Sequence, residues 1–177
     1  MKRTPLSRKT PLKAKTRLQS RVTPKKHATG KLSSNKAKPK TKAQRVKTLK
    51  KKLWNIFSQY IRKRHADHAG YVTTCDSQER VYWQETHCGH LWHNSDRSVG
   101  LGGNELWYYE NNFAPQSASG NIFNKDDAAK RYMGWAIDTY GKDEVDRMYK
   151  MKYTPRKWSE EELQEKYAYY KAAFERL

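Results

Sequence analysis

The sequence predicts an α+β domain behind a basic N-terminal arm, and three observations predict it. Residues 1–52 hold 20 of the 37 Lys/Arg and no Asp or Glu, whereas all 6 Trp, 12 Tyr and 4 Phe lie beyond them. Two short β-branched and aromatic runs, Tyr71-Val72-Thr73-Thr74 and Val81-Tyr82-Trp83, flank the turn-forming pair Asp76-Ser77. Most of the remaining chain repeats apolar residues at three- and four-residue spacing, the period of a helix packed on one face.

The arm comes first. Arg3-Thr4-Pro5-Leu6 is echoed by Lys9-Thr10-Pro11-Leu12, and Pro24 and Pro39 continue the punctuation. Each proline pushes the residue before it out of helical space. The few Leu and Val bury too little apolar surface to offset the entropy of ordering the segment, so residues 1–41 are expected to be disordered. The domain is then 42–177. A helix is expected to start at Thr41 or Lys42, carry Val46, Leu49, Leu53, Ile56, Phe57, Tyr60 and Ile61 on its packed face, and stop by Gly70. Residues 71–92 read as a hairpin, and the Gly-, Asn- and Asp-rich stretch 94–104 as a loop.

Helices dominate the rest of the chain. Asn124, Asp126 and Asp127 mark a helix start, Ala128, Tyr132, Trp135, Ala136 and Ile137 a packed face, and Gly141 a stop. A short helix comes next, over Asp143–Met151. Ser159-Glu160-Glu161-Glu162 is a capping box, with Trp158 and Leu163 placed as a staple across it. Leu163, Tyr167, Tyr170, Phe174 and Leu177 then form the last stripe.

The charge distribution points to a polyanionic partner. The 125 residues after position 52 carry 17 basic and 18 acidic groups, so the whole excess of +19 comes from the arm and the start of the first helix. A cationic segment gains free energy by releasing counterions from a phosphate polymer, and the gain falls steeply with salt. Lys47, Lys50, Lys51, Lys52 and Arg62 of the first helix are expected to hold phosphates, which gives position rather than sequence specificity. A membrane partner is not expected, since the arm lacks an apolar anchoring face and no run reaches the ~18 residues needed to span a bilayer. Charge after Met1-Lys2-Arg3 and only two cysteines, Cys75 and Cys88, fit a cytoplasmic protein without a secretory signal or disulfide framework.

One constellation could do chemistry. His90 ends the expected hairpin, and Asn112 and Asn121 lie further on, in polar segments. Hydrolysis of a phosphodiester needs a base to activate water and a cation to hold the charge developing on the phosphate. A neutral imidazole suits the first task, and a carboxamide oxygen suits a hard cation such as Mg²⁺. The same residues also fit a structural histidine with turn-forming asparagines.

Residues 53–177 resemble the bacteriophage NinG/Rap recombination endonuclease family. The resemblance is carried by Cys75, by Gly89-His90, by Asn112-Phe113 with Gln116, by Gly120-Asn121, by Tyr140–Asp146 and by Arg156–Leu163; Lys2-Arg3-Thr4-Pro5-Leu6 also looks like a start found in that family. It implies a small ββα-metal (HNH-like) core with flanking helices and a metal-dependent DNA endonuclease in the host cytoplasm. Its DNA would be branched or a recombination intermediate. By the same resemblance His90 is the general base, Asn112 orients it, and Asn121, with His90 beside it, helps bind Mg²⁺ or Mn²⁺. The first metal ligand is open between Asp96, Asp76 and His93, because Gly89 stands where many HNH sites have Asp. The family's four zinc cysteines fall at Cys75, Gln78, Ser117 and Gly120. Three thiols are gone, so the structural zinc is expected to be absent unless Cys75 and Cys88 recruit His87 or His93. The alternative function is a non-catalytic DNA- or RNA-binding protein with a degenerate HNH-like fold.

Overall fold

The computed structural model describes residues 41–93, 103–123 and 127–177, all within one unit, Pro39–Leu177. The disorder expected for 1–40, most of the loop at 94–104 and the helix start at Asn124–Asp126 lie outside the described residues. What is described is α+β: five α-helices and two small antiparallel sheets.

Helix α1 spans Lys42–Arg64. Thr41 caps it: its hydroxyl accepts the Gln44 N–H at 3.3 Å, and the Gln44 carboxamide accepts the Thr41 N–H at 3.0 Å. Leu53, Phe57 and Ile61, four residues apart, are wholly buried. They face helix α5 (Glu160–Glu175) together with Tyr108 and Phe113. Phe57 is the hub, with the rings of Tyr108, Phe113 and Tyr170 at 5.5, 5.0 and 4.9 Å, all near perpendicular. Each such edge-to-face pair adds about 0.5–1.5 kcal/mol beyond area burial. The helix ends well before Gly70, on Arg62, Lys63 and Arg64, where cations meet the negative end of the helix dipole. Gly70, at φ +83°, serves instead as the turn into the first strand.

Strands β1 (Tyr71–Thr73) and β2 (Arg80–Tyr82) pair antiparallel, as the sequence predicts, and the register sets Tyr71 opposite Tyr82. The expected hairpin over 71–92 is wrong beyond that point. A 3₁₀ turn at Trp83–Glu85 turns the chain away, and β3 (His87–His90) pairs with β4 (Phe113–Gln116) in a second sheet. The register sets His90 opposite Phe113 and Gly89 opposite Ala114. The strand β4, Phe-Ala-Pro-Gln, carries a proline and only one strongly strand-forming residue, so its pairing is decided by burial and not by propensity.

Helix α2 (Ala118–Phe123) begins just past β4, then come α3 (Ala128–Tyr140) and α4 (Lys142–Met151). Gly141, at φ +83°, ends α3 and begins α4. Ala128, Tyr132 and Ala136 are buried as expected, but Ile137 is exposed. On α5 the Ser159–Glu162 capping box forms, and Leu163 and Tyr170 are buried, whereas Leu177 is exposed.

Candidate functional site

The β3–β4 sheet and the helix after it build the site. The end of β3 supplies His90, and the turn after it supplies His93, with His90 Nε2 at 2.9 Å from His93 Nδ1. From β4 comes Gln116, and from α2 Asn121. These four side chains line one cavity of about 310 Å³. Burial, with His93 adding to it, pulls the His90 imidazole down to about 4, so the ring is neutral at pH 7. Among the residues lining the cavity that are described, none is a carboxylate.

A side chain at position 89 would force Gln116 to move. A Cβ on Gly89 would lie 2.0 Å from Gln116 Oε1, so the Gln116 carboxamide occupies the space a side chain at 89 would need. Asn121 reaches across to β3, its Nδ2 at 3.1 Å from His87 Nδ1.

Asn112 stands apart from the other three. It is fully buried, and both its polar atoms hold the main chain of Trp92: Oδ1 accepts Trp92 N–H at 2.8 Å, and Nδ2 donates to Trp92 O at 2.9 Å. It shapes the turn between the two histidines and bonds to the backbone rather than to an imidazole. Asn104, also fully buried, does the matching work one residue later, donating to His93 O at 2.9 Å. Asn104 is hidden in the sequence because it lies in a Gly- and Asn-rich stretch that reads as a loop.

Of the residues expected to be open as the first metal ligand, His93 is brought to His90, while Asp96 lies outside the described residues. Asp76 is buried elsewhere: its carboxylate accepts Ser117 N–H at 2.9 Å and Ser117 Oγ–H at 2.7 Å.

A family model, Bacteriophage Lambda NinG protein, matches residues 3–177. The chain belongs to the NinG family. Comparison with curated proteins and with solved structures gave no match.

Membership of NinG gives the Asp76 contacts a context. Two of the positions at which the resemblance implies zinc cysteines, Ser117 and Gly120, surround the Asp76 carboxylate. Ser117 is bonded to it, and a Cβ on Gly120 would fall 1.7 Å from Asp76 Oδ2. Gly120 N–H in turn donates to Ser117 Oγ at 3.0 Å. A hydrogen-bonded carboxylate thus joins the turn after β1 to the start of α2, and the missing side chain of Gly120 makes room for it. Gln78, at φ 60°, is exposed in the turn between β1 and β2. Cys75 packs with Ala114 and Tyr132, whereas Cys88 packs against the α1 core. Burial raises both thiols, Cys88 to about 12.

The expected phosphate contacts divide. Lys47, Lys51 and Lys52 are exposed on α1. Lys50 lies over the Trp107 ring, its Nζ 5.2 Å from the centroid. Arg62 turns inward: its guanidinium donates to Ser58 O at 3.1 Å, Gln84 O at 3.3 Å and Thr86 O at 2.8 Å, tying α1 to the turn before β3. No helix among the described residues is long and apolar enough to cross a membrane.

Proposed function

We propose that this NinG-family chain is a metal-dependent DNA endonuclease of phage recombination, with β3, β4 and α2 as an HNH-like ββα-metal core. One observation carries the reading: His90, His93, Gln116 and Asn121, drawn from two strands, a turn and a helix, face one cavity. His90 is neutral at physiological pH, the form in which an imidazole takes a proton from water attacking a phosphodiester. His93 sits against it and fixes its ring. The buried Asn112 and Asn104 hold the backbone that carries both, so a geometry near the ~0.5 Å tolerance of a catalytic site can be kept without the side chains themselves touching substrate.

A divalent ion would have to arrive with DNA, since among the described residues no three His, Cys, Asp or Glu side chains gather to hold one. Gln116 and Asn121 offer carboxamide oxygens and His93 an imidazole nitrogen, none of them a carboxylate, so the phosphates would supply the anionic ligands. Carbonyl-type oxygens suit Mg²⁺ and Mn²⁺ alike. The ion would stabilise charge on the phosphate and leaving oxygen. The arm, with its 20 Lys/Arg up to residue 52, holds the DNA backbone.

A second reading is a non-catalytic DNA- or RNA-binding protein, favoured by the lack of a carboxylate among the described residues that line the cavity. Nicking of supercoiled and branched DNA in Mg²⁺, Mn²⁺ or EDTA separates the two. Replacing His90 with Ala should slow cleavage by about 10²–10⁴ while DNA binding persists. Equal cleavage by both proteins removes His90 from the mechanism, and no metal-dependent cleavage by the unaltered protein selects the second reading.

A further inference from the structure

Beside the cavity an aromatic ladder runs out to solvent. The Trp92 ring, which lines the cavity, meets Tyr149 of α4 at 5.0 Å between centroids and 61° between planes. Tyr149 meets Tyr153 at 5.4 Å and 83°, with the two hydroxyls 3.1 Å apart. Tyr149 is 44% exposed and Tyr153 47%, so wide areas of ring face water. Such area normally packs inward, and three rings in succession, the first of them lining the cavity, form a patch rather than scattered surface tyrosines.

The ladder is fixed to the site through main chain. The buried Asn104 carboxamide donates at 2.9 Å to His93 O and at 2.9 Å to Lys152 O, so one side chain joins the histidine turn to the turn that carries Tyr153. Glu105 N–H donates to Thr154 O and Arg156 N–H to Gly103 O, both at 3.0 Å, which secures the same join on either side. Motion of the rings relative to His90 is therefore restricted by hydrogen bonds and not only by packing.

Charge around the ladder names the occupant. From Arg147 to Lys157 the chain has five cations (Arg147, Lys150, Lys152, Arg156 and Lys157) and no acid, with Arg147 ion-paired to Glu144 and Arg156 to Glu162 on either side. Lys152 Nζ lies 5.2 Å from the Tyr153 centroid. Exposed aromatic faces interleaved with cations match a strand whose bases are unpaired: the rings take the base faces and the cations the phosphates. A duplex keeps its base faces stacked and offers only its backbone and groove edges.

We propose that Trp92, Tyr149 and Tyr153 form a stacking subsite for unpaired bases of single-stranded DNA, adjoining the His90–His93 cavity. The proposal rests on the DNA reading above and adds to it where the strand leaves the site. A strand held there would lead away from the scissile phosphate over α4.

The test is binding, measured in EDTA so that it does not depend on cleavage. Full-length protein is titrated with labelled oligothymidylate and with a blunt duplex of equal length, at raised salt to reduce the contribution of the arm. Tyr149→Ala with Tyr153→Ala should weaken single-strand binding about 10-fold or more and duplex binding much less. Tyr149→Phe with Tyr153→Phe keeps the rings and should bind single strands nearly as well as the unaltered protein. Both tyrosines are exposed, so thermal melting should match across the three proteins. No loss on single strands overturns the subsite, and so does an equal loss on single strands and duplex. Failure of the nuclease reading appears separately, as absence of metal-dependent nicking with single-strand preference intact.

Discussion

The Asn112 carboxamide grips the main chain of Trp92 from both sides, accepting its N–H at 2.8 Å and donating to its carbonyl at 2.9 Å. A third bond, Leu91 N–H to Asn112 O at 2.8 Å, ties the same turn to the end of the short 3₁₀ segment Glu110–Asn112 that precedes β4. His90 and His93 therefore hang from a loop whose shape is set by a residue that does not line the cavity. Removing the carboxamide leaves a buried donor and acceptor without partners. Asn112→Ala should lower stability by about 2–4 kcal/mol, read as a shift in the urea midpoint. Asn112→Asp should also destabilise, because a carboxylate faces the Trp92 carbonyl where an N–H donor belongs. Unchanged midpoints in both variants would show that packing alone holds the turn.

Gly120 and Asp76 should be energetically coupled. A methyl group at 120 would lie 1.7 Å from Asp76 Oδ2, so Gly120→Ala must displace the carboxylate that holds Ser117. The substitution should cost clearly less once Asp76→Ala has removed that oxygen. The expected coupling in a double-mutant cycle is about 0.5–3 kcal/mol. Additive losses would mean that Gly120→Ala acts through something other than Asp76.

Deleting residues 1–40 removes 14 of the 37 Lys/Arg. The slope of log affinity for DNA against log salt should flatten markedly, since every phosphate that is no longer neutralised takes about 0.9 from it. A slope equal to that of the full chain would place the phosphate contacts on the domain, with Lys47, Lys51 and Lys52 the first candidates.

Stability should fall in mild acid. Burial, with Arg64 beside it, draws His65 down from 6.5 to about 4. The unfolded chain takes up this proton near pH 6.5, and the folded chain only near pH 4. The contribution is thus complete above about pH 6.5 and is lost as pH drops through that window, by up to about 3 kcal/mol. His90 shifts in the same direction and adds to the slope. Denaturation at pH 7 and pH 4.5 should show a smaller drop for His65→Gln than for the unaltered protein; equal drops would show that His65 protonates alike in both states.

The helices were the most readable elements, for reasons visible in single residues. Leu53, Phe57 and Ile61 recur at the helical period and are the residues that bury, and Thr41 with Gln44 and Ser159 with Glu162 cap locally, within one turn. Strand β4 was missed because Ala114 and Pro115 have no strand character of their own; they pair because β3 lies opposite and the strand is buried along its whole length. Ile137 lies off the Ala128–Tyr132–Ala136 stripe of α3, and Leu177 lies beyond the end of α5, so both face solvent.

The family resemblance named His90, Asn112 and Asn121 as candidate groups; the sequence by itself determined the separation of a cationic arm from a nearly neutral aromatic domain, the caps and the buried helical faces. These arise from composition, local hydrogen bonds and a helical period, all of which act over a few residues. Only the tertiary structure decided that His93 and Gln116 join His90 and Asn121, that Asn112 and Asn104 work through backbone, that Arg62 turns inward and that Asp76 fills the space left by Gly120. Those outcomes depend on which distant segments become neighbours: residues 93 and 152, or 76 and 117, meet only when the core has closed around them.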